Sequence, residues 1–356
     1  MSFDVLTINP GSTSTKLAVY QGDKVLFEET VRHTMQEFAD FNNVQEQFDF
    51  RWQVLRRVID AFGYDVNNLD AVVGRGGLLR PVAGGTYMVT EKMLADLKTN
   101  KYGEHASNLG AMLAKKLADT LDIPSFIVDP VVVDEMQPIA RFSGNELIAR
   151  KSIFHALNHK AAGRKIAKKL GSDDYEKLNF VIAHLGGGIS VAAHRQGKAV
   201  DVNNALDGDG PFSPERSGSL PMNDFLEACF SGKWNKRELH DLIIGRGGMI
   251  SYLGTNSMLE VEAKVKAGDE KAIQAFDAMA YQVSKEIGAC STVLHGKIDA
   301  IILTGGLARS DLFTTKIIEQ TNWIASVIIE PGEDELEALN SGVQRVLAGL
   351  EKEKLY

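Results

Sequence analysis

The chain is poor in cysteine, carries no excess of basic residues and contains no long apolar run. Cys229 and Cys290 are the only cysteines among 356 residues and form no CxxC pair, which argues against a disulfide framework and a cysteine metal cluster. Lysine and arginine number 39 against 47 aspartates and glutamates, a net charge of −8, whereas nucleic-acid surfaces need clustered positive charge. No stretch approaches the roughly 18 apolar residues of a membrane span, and residues 1–12 lack the basic and apolar segments of a secretory signal. We therefore expect a cytoplasmic protein without nucleic-acid or membrane partners.

The chain does contain an alternation of strand-like and helix-like segments. Short runs of β-branched and apolar residues predict strands, and apolar residues at helical spacing predict helices. The predicted strands are 5–8, 16–20, 25–31, 71–73 and 125–128, and the predicted helices are 52–62 and 106–121. This alternation is typical of an α/β architecture, and a length of 356 residues suggests two domains of about 150 residues each.

The second half of the chain repeats the pattern of the first. When the sequence is shifted by 175 residues, 8–11 (INPG) falls on 183–186 (AHLG), and the Gln-Gly pair at 21–22 falls on the pair at 196–197 without a gap. Two unrelated hairpins can share this pattern, but a register kept through two successive turns favours an ancient duplication. We therefore expect two similar domains, with a ligand site in the cleft between them.

Three turns rich in small residues accompany predicted strands. They are NPGSTSTK at 9–16, HLGGGIS at 184–190 and IILTGGLA at 301–308. Glycine lets the backbone approach a bulky anion, and successive N–H groups form an anion-binding nest. The first turn is not a Walker loop, because it lacks GxxxxGK[ST] and precedes a strand. Each turn alone is also explained as a polar hairpin, whereas the three together predict a polyphosphate site.

Charged side chains stand at comparable ends of strands and loops. Arg75 in GRGG and Arg216 in ERSG are suited to place a guanidinium on phosphoryl oxygens, although a single arginine is more often a surface charge. Asp129 follows an apolar strand, where a carboxylate that holds magnesium would project. His155 and His159 are four residues apart at the start of a predicted helix and share one face. The run lacks the glutamate of HExxH, so zinc is not expected.

These motifs, in this order, resemble those of the acetate and butyrate kinase family. The matching runs are INPGSTSTK, the GRGG arginine, IFHALNH, HLGGG, ERSG and TGG, and they extend from residue 9 to about 335. The resemblance implies the actin, hexokinase and Hsp70 ATPase superfamily, with two duplicated actin-like (ribonuclease H-like) α/β domains and a nucleotide cleft between them. It places the N-terminal domain at 1–152 plus 334–356 and the C-terminal domain at 153–333.

The resemblance also implies a role for each matching residue. The arginines would clamp the carboxylate and the transferring phosphoryl group, the histidines would lie along the phosphoryl path, and Asp129 would organise the Mg²⁺ that accompanies ATP. The implied catalytic residues are Arg75, Asp129, His155, His184 and Arg216; the implied metal residues are Asn9 and Glu335; the implied nucleotide-binding residues are Ser12, Ser14, Lys16, Gly186, Gly187, Gly188, Gly305 and Gly306. For Glu335, interaction with the dipole of the last helix is an equally good explanation.

Several positions depart from the acetate-kinase pattern. Gly187 stands where those enzymes have the asparagine of HLGNG, and 154–159 reads FHALNH in place of FHGTSH. Their adenosine-binding triplet has no counterpart at 257–260, so that contact is unassigned. Gly77 replaces a valine two residues after the arginine, and we expect this smaller wall to leave space for a longer acyl chain in a substrate pocket that includes Phe154.

We therefore expect a reversible transfer of the γ-phosphoryl group of ATP to butyrate, giving butyryl phosphate and ADP, with Mg²⁺ as the cofactor. The resemblance also implies a homodimer or a higher homo-oligomer. Branched acids such as isobutyrate and isovalerate, or acetate, are alternative acceptors. A sugar kinase that uses Asp129 as a base and a non-metabolic ATPase of the superfamily are alternatives from other functional classes.

Overall fold

Two sheets, each with its own helices, organise the chain in a computed structural model. The structure describes residues 2–34, 36–39, 41–172 and 174–356. Packing divides the chain into unit 1, which comprises Met1–Val133 and Asp334–Tyr356, and unit 2, which comprises Asp134–Glu333. The domain boundaries expected from the sequence, which assign 134–152 to the first domain, stay a prediction.

The strands form one sheet in each unit. In chain order they are β1 (Asp4–Pro10), β2 (Ser14–Gln21), β3 (Lys24–Arg32), β4 (Ala71–Arg75), β5 (Thr86–Met88), β6 (Ser125–Val128), β7 (Asn179–Leu185), β8 (Ile189–Arg195), β9 (Lys198–Val202), β10 (Ala300–Gly305), β11 (Val327–Pro331) and β12 (Lys354–Leu355). Among the described residues the sheet of unit 1 has the order β12-β5-β6-β4-β1-β2-β3, and the sheet of unit 2 has the order β11-β10-β7-β8-β9.

Helices cover both sheets. They are α1 (Phe48–Phe62), α2 (Glu91–Lys98), α3 (Asn108–Leu121), α4 (Ala156–Lys169), α5 (Met222–Phe230), α6 (Lys236–Ile243), α7 (Gly248–Leu253), α8 (Met258–Lys266), α9 (Glu270–Val293), α10 (Asp311–Thr321) and α11 (Glu335–Leu347). Short 3₁₀ turns occupy Val44–Gln47, Val66–Asn68, Pro138–Arg141, Tyr175–Lys177 and Gly306–Arg309. In the part of the chain that the structure describes, no helix combines the length and the apolar character that crossing a membrane requires.

The predicted repeat is confirmed at the level of strands. β1 pairs antiparallel with β2 and parallel with β4, and β7 pairs antiparallel with β8 and parallel with β10. The shift of 175 residues carries Asp4–Pro10 onto Asn179–Leu185, the bounds of β1 and β7. Each unit therefore contains the same five strands in the same order and directions, and unit 1 adds β5 and β12 at one edge.

In unit 1 the sheet is a middle layer between α3 and α11. Successive side chains of a strand point to opposite faces, so Leu6 and Ile8 of β1 lie in the main core with residues of α1, α2 and α3. Ala18 and Tyr20 of β2 face the other side and pack against Leu336 of α11. The first residues of α11 consequently lie close to the sheet.

The sheet of unit 2 is covered in the same way. Val181 and Ala183 of β7 lie in a core that includes Phe276 of α9. Ile182, on the opposite face of the same strand, packs with Ile166 of α4. Burial of both faces explains why β7 and β10 are apolar almost without interruption.

A close contact between two glycines lets α3 lie against β4. A Cβ added at Gly110 would overlap the backbone of Arg75, and a Cβ added at Gly74 would overlap the backbone of Gly110. We expect Gly110→Ala to lower the free energy of unfolding by at least about 2 kcal/mol, because the helix must move away from the strand. Urea unfolding followed by circular dichroism measures the change.

Gly288→Ala is the matched control for this prediction. Gly288 lies inside α9, and nothing stands within 4 Å of an added Cβ. This substitution should raise the free energy of unfolding by about 0.5 to 1 kcal/mol, because alanine has the higher helix propensity. Changes of the same sign in the two variants would contradict the packing argument.

Candidate active site

Three predicted site residues meet at one edge of the sheet of unit 1. Asn9 lies near the end of β1, Arg75 is the last residue of β4, and Glu335 is the first residue of α11. The side-chain amide of Asn9 donates to Glu335 Oε2, and Arg75 Nη1 forms an ion pair with Glu335 Oε1. The side chains of all three residues are largely shielded from solvent. The structure therefore joins a predicted catalytic residue with both predicted metal residues.

Asp129 stands at the same edge, immediately after β6. Its neighbour Val128 pairs with Arg75 in the parallel ladder. Asp129 has a φ of +38°, a left-handed conformation that is uncommon for a residue other than glycine. Two hydrogen bonds hold it there: Gly85 N donates to Asp129 Oδ1 at 2.7 Å, and Asp129 N donates to Gly85 O at 3.0 Å. These bonds fix the direction of the carboxylate, and the residue is buried. A left-handed backbone at a residue other than glycine is strained, and such strain clusters at functional sites.

The first small-residue turn joins β1 to β2. Gly11 N donates to Ser14 O at 2.8 Å, which closes the turn and leaves Ser12 exposed at its tip. Lys16 pairs with Asn9 across the antiparallel ladder, so its side chain starts beside the Asn9–Glu335 pair. Ser12, Ser14 and Lys16 are therefore close along the chain to the unit 1 cluster, and their role in nucleotide binding stays a prediction.

Arg51 of α1 holds this turn and escaped the sequence analysis. It is fully buried, and its guanidinium donates to Gly11 O at 2.8 Å and to Ser14 O at 2.9 Å. In the sequence it is one of three arginines in RWQVLRR, a pattern that looks like the solvated face of a helix. The contacts that bury it come from residues 36 to 40 positions earlier, so the local pattern carries no signal for its role.

In unit 2, the second turn lies against Arg216. A Cβ added at Gly188 would collide with the guanidinium of Arg216, so only glycine allows this approach. Arg216 Nη1 donates to Ala205 O at 2.6 Å, while its buried Nε has no hydrogen-bond partner among the described residues. Burial lowers the pKa of Arg216 from its ordinary value. The guanidinium of Arg216 thus lies directly against the glycine turn that follows β7.

Ser213 is a second residue that the sequence analysis missed. Its hydroxyl donates to Gly187 O at 2.5 Å and accepts from Arg216 N at 3.1 Å. The Ser213 side chain thereby fixes both the carbonyl of Gly187 in the glycine turn and the backbone N–H of Arg216. A serine in the run FSPERSG carries no distinctive signal on its own.

His155 and His184 stack on each other beside Glu333. Their ring centroids are 4.1 Å apart with planes 13° from parallel. His184 Nε2 lies 3.3 Å from Glu333 Oε1, and His155 Nε2 lies 3.9 Å from Glu333 Oε2. These ligand atoms are close enough to share a metal ion. An imidazole binds a metal in its own plane, however, so two parallel stacked rings do not direct their lone pairs at one point, and we interpret the group as hydrogen-bonding rather than metal-binding.

His155 and His159 stand at the start of α4, as the sequence predicts, but only His159 lies inside the helix. His155 precedes α4 as its N-cap residue, with φ −78° and ψ 58°, and His159 lies inside the helix. Both rings nevertheless lie near His184, at centroid distances of 4.1 Å and 6.3 Å. Phe154 meets His159 edge-on at 5.0 Å. His159 N donates to His155 O at 3.0 Å, so the first turn of α4 relates the two histidines.

A buried hydrogen-bonded chain continues from His159. His159 Nε2 lies 2.8 Å from Ser190 Oγ, His159 Nδ1 lies 3.2 Å from His194 Nε2, and His194 Nδ1 lies 2.8 Å from Tyr175 Oη. Ser190 pairs with His184 across the β7–β8 ladder. Because directly paired residues of neighbouring strands point to the same face, this chain lies on the face of the sheet that carries His184.

The third turn places its two glycines in different surroundings. Gly305 has a φ of +90°, and a Cβ there would strike the backbone of Leu185, so this glycine allows the ends of β10 and β7 to meet. Gly306 faces open space. It borders both a cavity of about 990 Å³ and a neighbouring one of about 230 Å³ that includes Gly186 and Gly187.

The larger cavity also includes the segment that the sequence analysis left unassigned. Ser257, Met258 and Leu259 line it together with Gly306. Met258 and Gly306 belong to both cavities, which are therefore contiguous within unit 2. The connected space runs from the glycine turn after β7 to α8 and α10.

The chain is similar to known proteins along its whole length. The model of the acetokinase family matches residues 136–326. The chain is 99% identical over 356 residues, 100% of both chains, to a probable butyrate kinase of Listeria welshimeri. It is 52% identical over 356 residues, again 100% of both chains, to butyrate kinase 2 of Clostridium acetobutylicum. The chain belongs to the acetokinase family.

A solved structure supports the fold of this acetokinase-family chain. The acetate kinase of Porphyromonas gingivalis, at 19% sequence identity, superposes with a TM-score of 0.78 over 96% of this chain and 99% of its own. The predicted fold class, a duplicated actin-like α/β fold, is confirmed. The chain is accordingly a kinase whose acceptor group is a carboxylate.

Gly77, expected in the acyl pocket, packs against α3. A Cβ there would overlap both the backbone and the side-chain oxygen of Asn108. The missing side chain therefore permits close approach of the helix, and the volume that a Cβ would take is already filled. Phe154 is buried beside His159. The assignment of Gly77 and Phe154 to the acyl pocket of this acetokinase-family chain stays a prediction.

The buried histidines predict a pH dependence of stability. Burial lowers the pKa of His159 and of His194 well below 6.5, and the charge of Lys160 acts in the same direction. As the pH falls below about 6.5, these histidines become protonated in the unfolded chain but stay neutral in the native chain. The free energy of unfolding therefore decreases as the pH falls through this range. The expected slope is up to about 1.4 kcal/mol per pH unit for each histidine.

His194→Gln tests this prediction, because glutamine keeps hydrogen-bonding capacity and does not titrate. Urea unfolding at several values between about pH 5.5 and 7.5 should give a pH slope smaller by about one proton than that of the wild type. An unchanged slope would show that His194 does not contribute.

Proposed function

We propose that the chain transfers the γ-phosphoryl group of ATP to butyrate and forms butyryl phosphate and ADP in a reversible reaction. The observation that carries the reaction type is the guanidinium of Arg216, which packs against the glycine turn and has a buried Nε. The acyl group rests on full-length identity to two chains that are named butyrate kinases, at 99% and 52%. We further propose that it acts in the cytoplasm as a homodimer or higher oligomer, as the resemblance implies.

The chemistry requires screening of charge rather than a base. A carboxylate has a pKa of about 4 to 5 and is ionised at neutral pH, so its attack needs no proton removal. The attacking oxygen and the phosphoryl group are both negative, so cations must lie where charge develops in the transition state. Arg216 of unit 2 is suited to this task, because its guanidinium donates to the neutral carbonyl of Ala205 and forms no ion pair with a carboxylate of the described residues.

The proposal gives the two histidines a place next to Arg216 in the reaction. His184 would donate a hydrogen bond to the phosphoryl group in transfer, and His155 would support it through the stacked rings. Glu333 Oε1 lies 3.3 Å from His184 Nε2 and would favour a proton on that nitrogen, which the proposed donation needs. In unit 1, Arg75 would bind the carboxylate of the acceptor.

Asn9, Asp129 and Glu335 suit the Mg²⁺ that accompanies ATP. All three offer side-chain oxygen atoms, the ligand type that Mg²⁺ prefers, and Asn9 and Glu335 are already in direct contact. When bound, the ion would supply positive charge to the phosphoryl oxygens. The chain's own contribution is to hold the carboxylate of Asp129 in one direction through Gly85.

The proposed nucleotide site uses the three small-residue turns. Ser12, Ser14 and Lys16 in unit 1 and Gly186, Gly187 and Gly188 in unit 2 would bind phosphates, and Gly305 and Gly306 would flank the adenosine. The contiguous cavities beside Gly306 support this assignment, because the larger one, at about 990 Å³, has ample volume for a nucleoside.

A hydroxamate assay tests the proposed reaction. The protein is incubated with Mg-ATP, hydroxylamine and one of butyrate, isobutyrate, isovalerate, acetate or glucose. We expect a strong hydroxamate signal with butyrate, because hydroxylamine traps an acyl phosphate. A signal mainly with acetate or with a branched acid would overturn the butyrate assignment. ADP release with glucose and no hydroxamate would overturn the reaction itself.

Substitution of Arg216 tests its role in this reaction. We expect Arg216→Ala to lower kcat by roughly 10³-fold, by analogy with arginine fingers, and Arg216→Lys to recover only part of this loss, because the planar fork is absent. Gly188→Ala should lower kcat by roughly 10²-fold with little effect on thermal stability, since it displaces the guanidinium. Gly288→Ala is the control with unchanged kcat. A loss below about tenfold in Arg216→Ala would remove Arg216 from the mechanism.

A further inference from the structure

A fully buried arginine lies beneath the first small-residue turn. Besides the carbonyls of Gly11 and Ser14, Arg51 donates from Nη1 to Thr15 Oγ1 at 2.9 Å. Its Nε and Nη2 donate to Gln47 Oε1 at 3.2 Å and 3.0 Å. Every one of these acceptors is neutral, and in the described ranges no carboxylate forms an ion pair with Arg51. Within the part of the chain that the structure describes, Arg51 is therefore a buried cation without a counter-ion.

Such a cation is unfavourable unless something compensates it. Burial of a charge without an opposite charge costs several kcal/mol, and burial here lowers the pKa of Arg51 to about 10, so it remains charged at neutral pH. The ring of Phe38 lies 5.2 Å from its Cζ and offers a cation–π contact. A role confined to holding the turn could be filled at lower cost by an arginine paired with a carboxylate.

The hydrogen bonds of Arg51 also set the direction of the turn. The carbonyl of Gly11 points at the guanidinium. In a trans peptide the carbonyl and the following N–H point in opposite directions. The N–H of Ser12 therefore points away from Arg51, at the exposed tip of the turn. Arg51 thus turns the carbonyl of Gly11, which would repel an anion, away from the tip of the turn. The N–H of Ser12, which attracts an anion, is directed towards the tip.

We propose that Arg51 is a positioning residue of the first turn whose uncompensated charge increases affinity for the phosphate groups of a nucleotide. This inference rests on the proposed function, which brings ATP phosphates to the turn. The bound polyphosphate would supply the negative charge that Arg51 lacks among the described residues. The expected consequence is that nucleotide affinity depends on the net charge at Arg51 and not only on the shape of the turn.

Gln47→Glu separates these two roles. A carboxylate at position 47 accepts the same two hydrogen bonds and neutralises the guanidinium. The melting temperature should stay the same or rise, because a buried cation gains a partner. The dissociation constant for Mg-ATP, measured by calorimetry in the absence of an acyl substrate, should increase roughly tenfold, while the KM for butyrate stays within about twofold.

Gln53→Glu is the matched control. Gln53 lies on α1 two residues after Arg51 and is exposed, so the variant adds the same charge without neutralising Arg51. Its affinity for Mg-ATP should equal that of the wild type. Equal affinities in wild type and Gln47→Glu would overturn the inference about Arg51. Absence of Mg-ATP binding by the wild type would instead overturn the proposed function.

A second pair of variants covers the case in which Gln47→Glu does not fold. Arg51→Lys keeps the charge and loses the fork, whereas Arg51→Met loses both. We expect Arg51→Lys to bind Mg-ATP at least about fivefold more tightly than Arg51→Met at a similar melting temperature. Equal affinities in these two variants would show that the charge has no role.

Discussion

The direction of the parallel central strands determines which side chains meet at the candidate site. In each unit three parallel strands end at one edge of the sheet, and the side chains that follow them meet there. In unit 1 this edge carries Asn9, Arg75 and Asp129, after β1, β4 and β6. In unit 2 it carries the glycine turn after β7, Gly305 at the end of β10, and Glu333 shortly after β11. The duplicated topology thus produces two edges of similar geometry with different chemistry.

Glycine gives these edges their close backbone packing, and its roles differ from position to position. Gly74 and Gly110 let a helix lie on a strand directly behind Arg75, and Gly188 leaves room for a guanidinium. Gly306 makes no close contact and borders open space. A glycine-rich sequence therefore indicates only that some group approaches the backbone closely. The atoms that a Cβ would meet at each glycine show whether that group belongs to the fold or the space is open to a ligand.

Local sequence patterns predicted β1 to β4 and β6 within two residues of their observed ends, but they predicted neither β5, β11 and β12 nor the partners that bury a residue. The strand at 125–128 and the turn at 21–24 were predicted correctly, because their signals are local. α1 begins at Phe48 rather than at 52, since the 3₁₀ turn capped by Asn43 passes directly into it. Arg51 and Ser213 were missed, because their roles depend on distant carbonyls. For Gly77 the substitution was recognised, but the neighbour that fills its space lies in α3.

Arg51, Arg75 and Arg216 differ in the groups that accept hydrogen bonds from their guanidinium. Arg75 has the carboxylate of Glu335 as a partner, whereas Arg216 donates to a carbonyl and Arg51 donates to carbonyls, a hydroxyl and an amide. A guanidinium already paired with a carboxylate attracts a further anion less than one that is bound only by neutral dipoles. Arg51 and Arg216 each lie beside a small-residue turn, one in each unit. Arg51 and Arg216, which form no ion pair among the described residues, therefore lie at the turns where the proposed function places the phosphates, and Arg75 lies where it places the acceptor carboxylate.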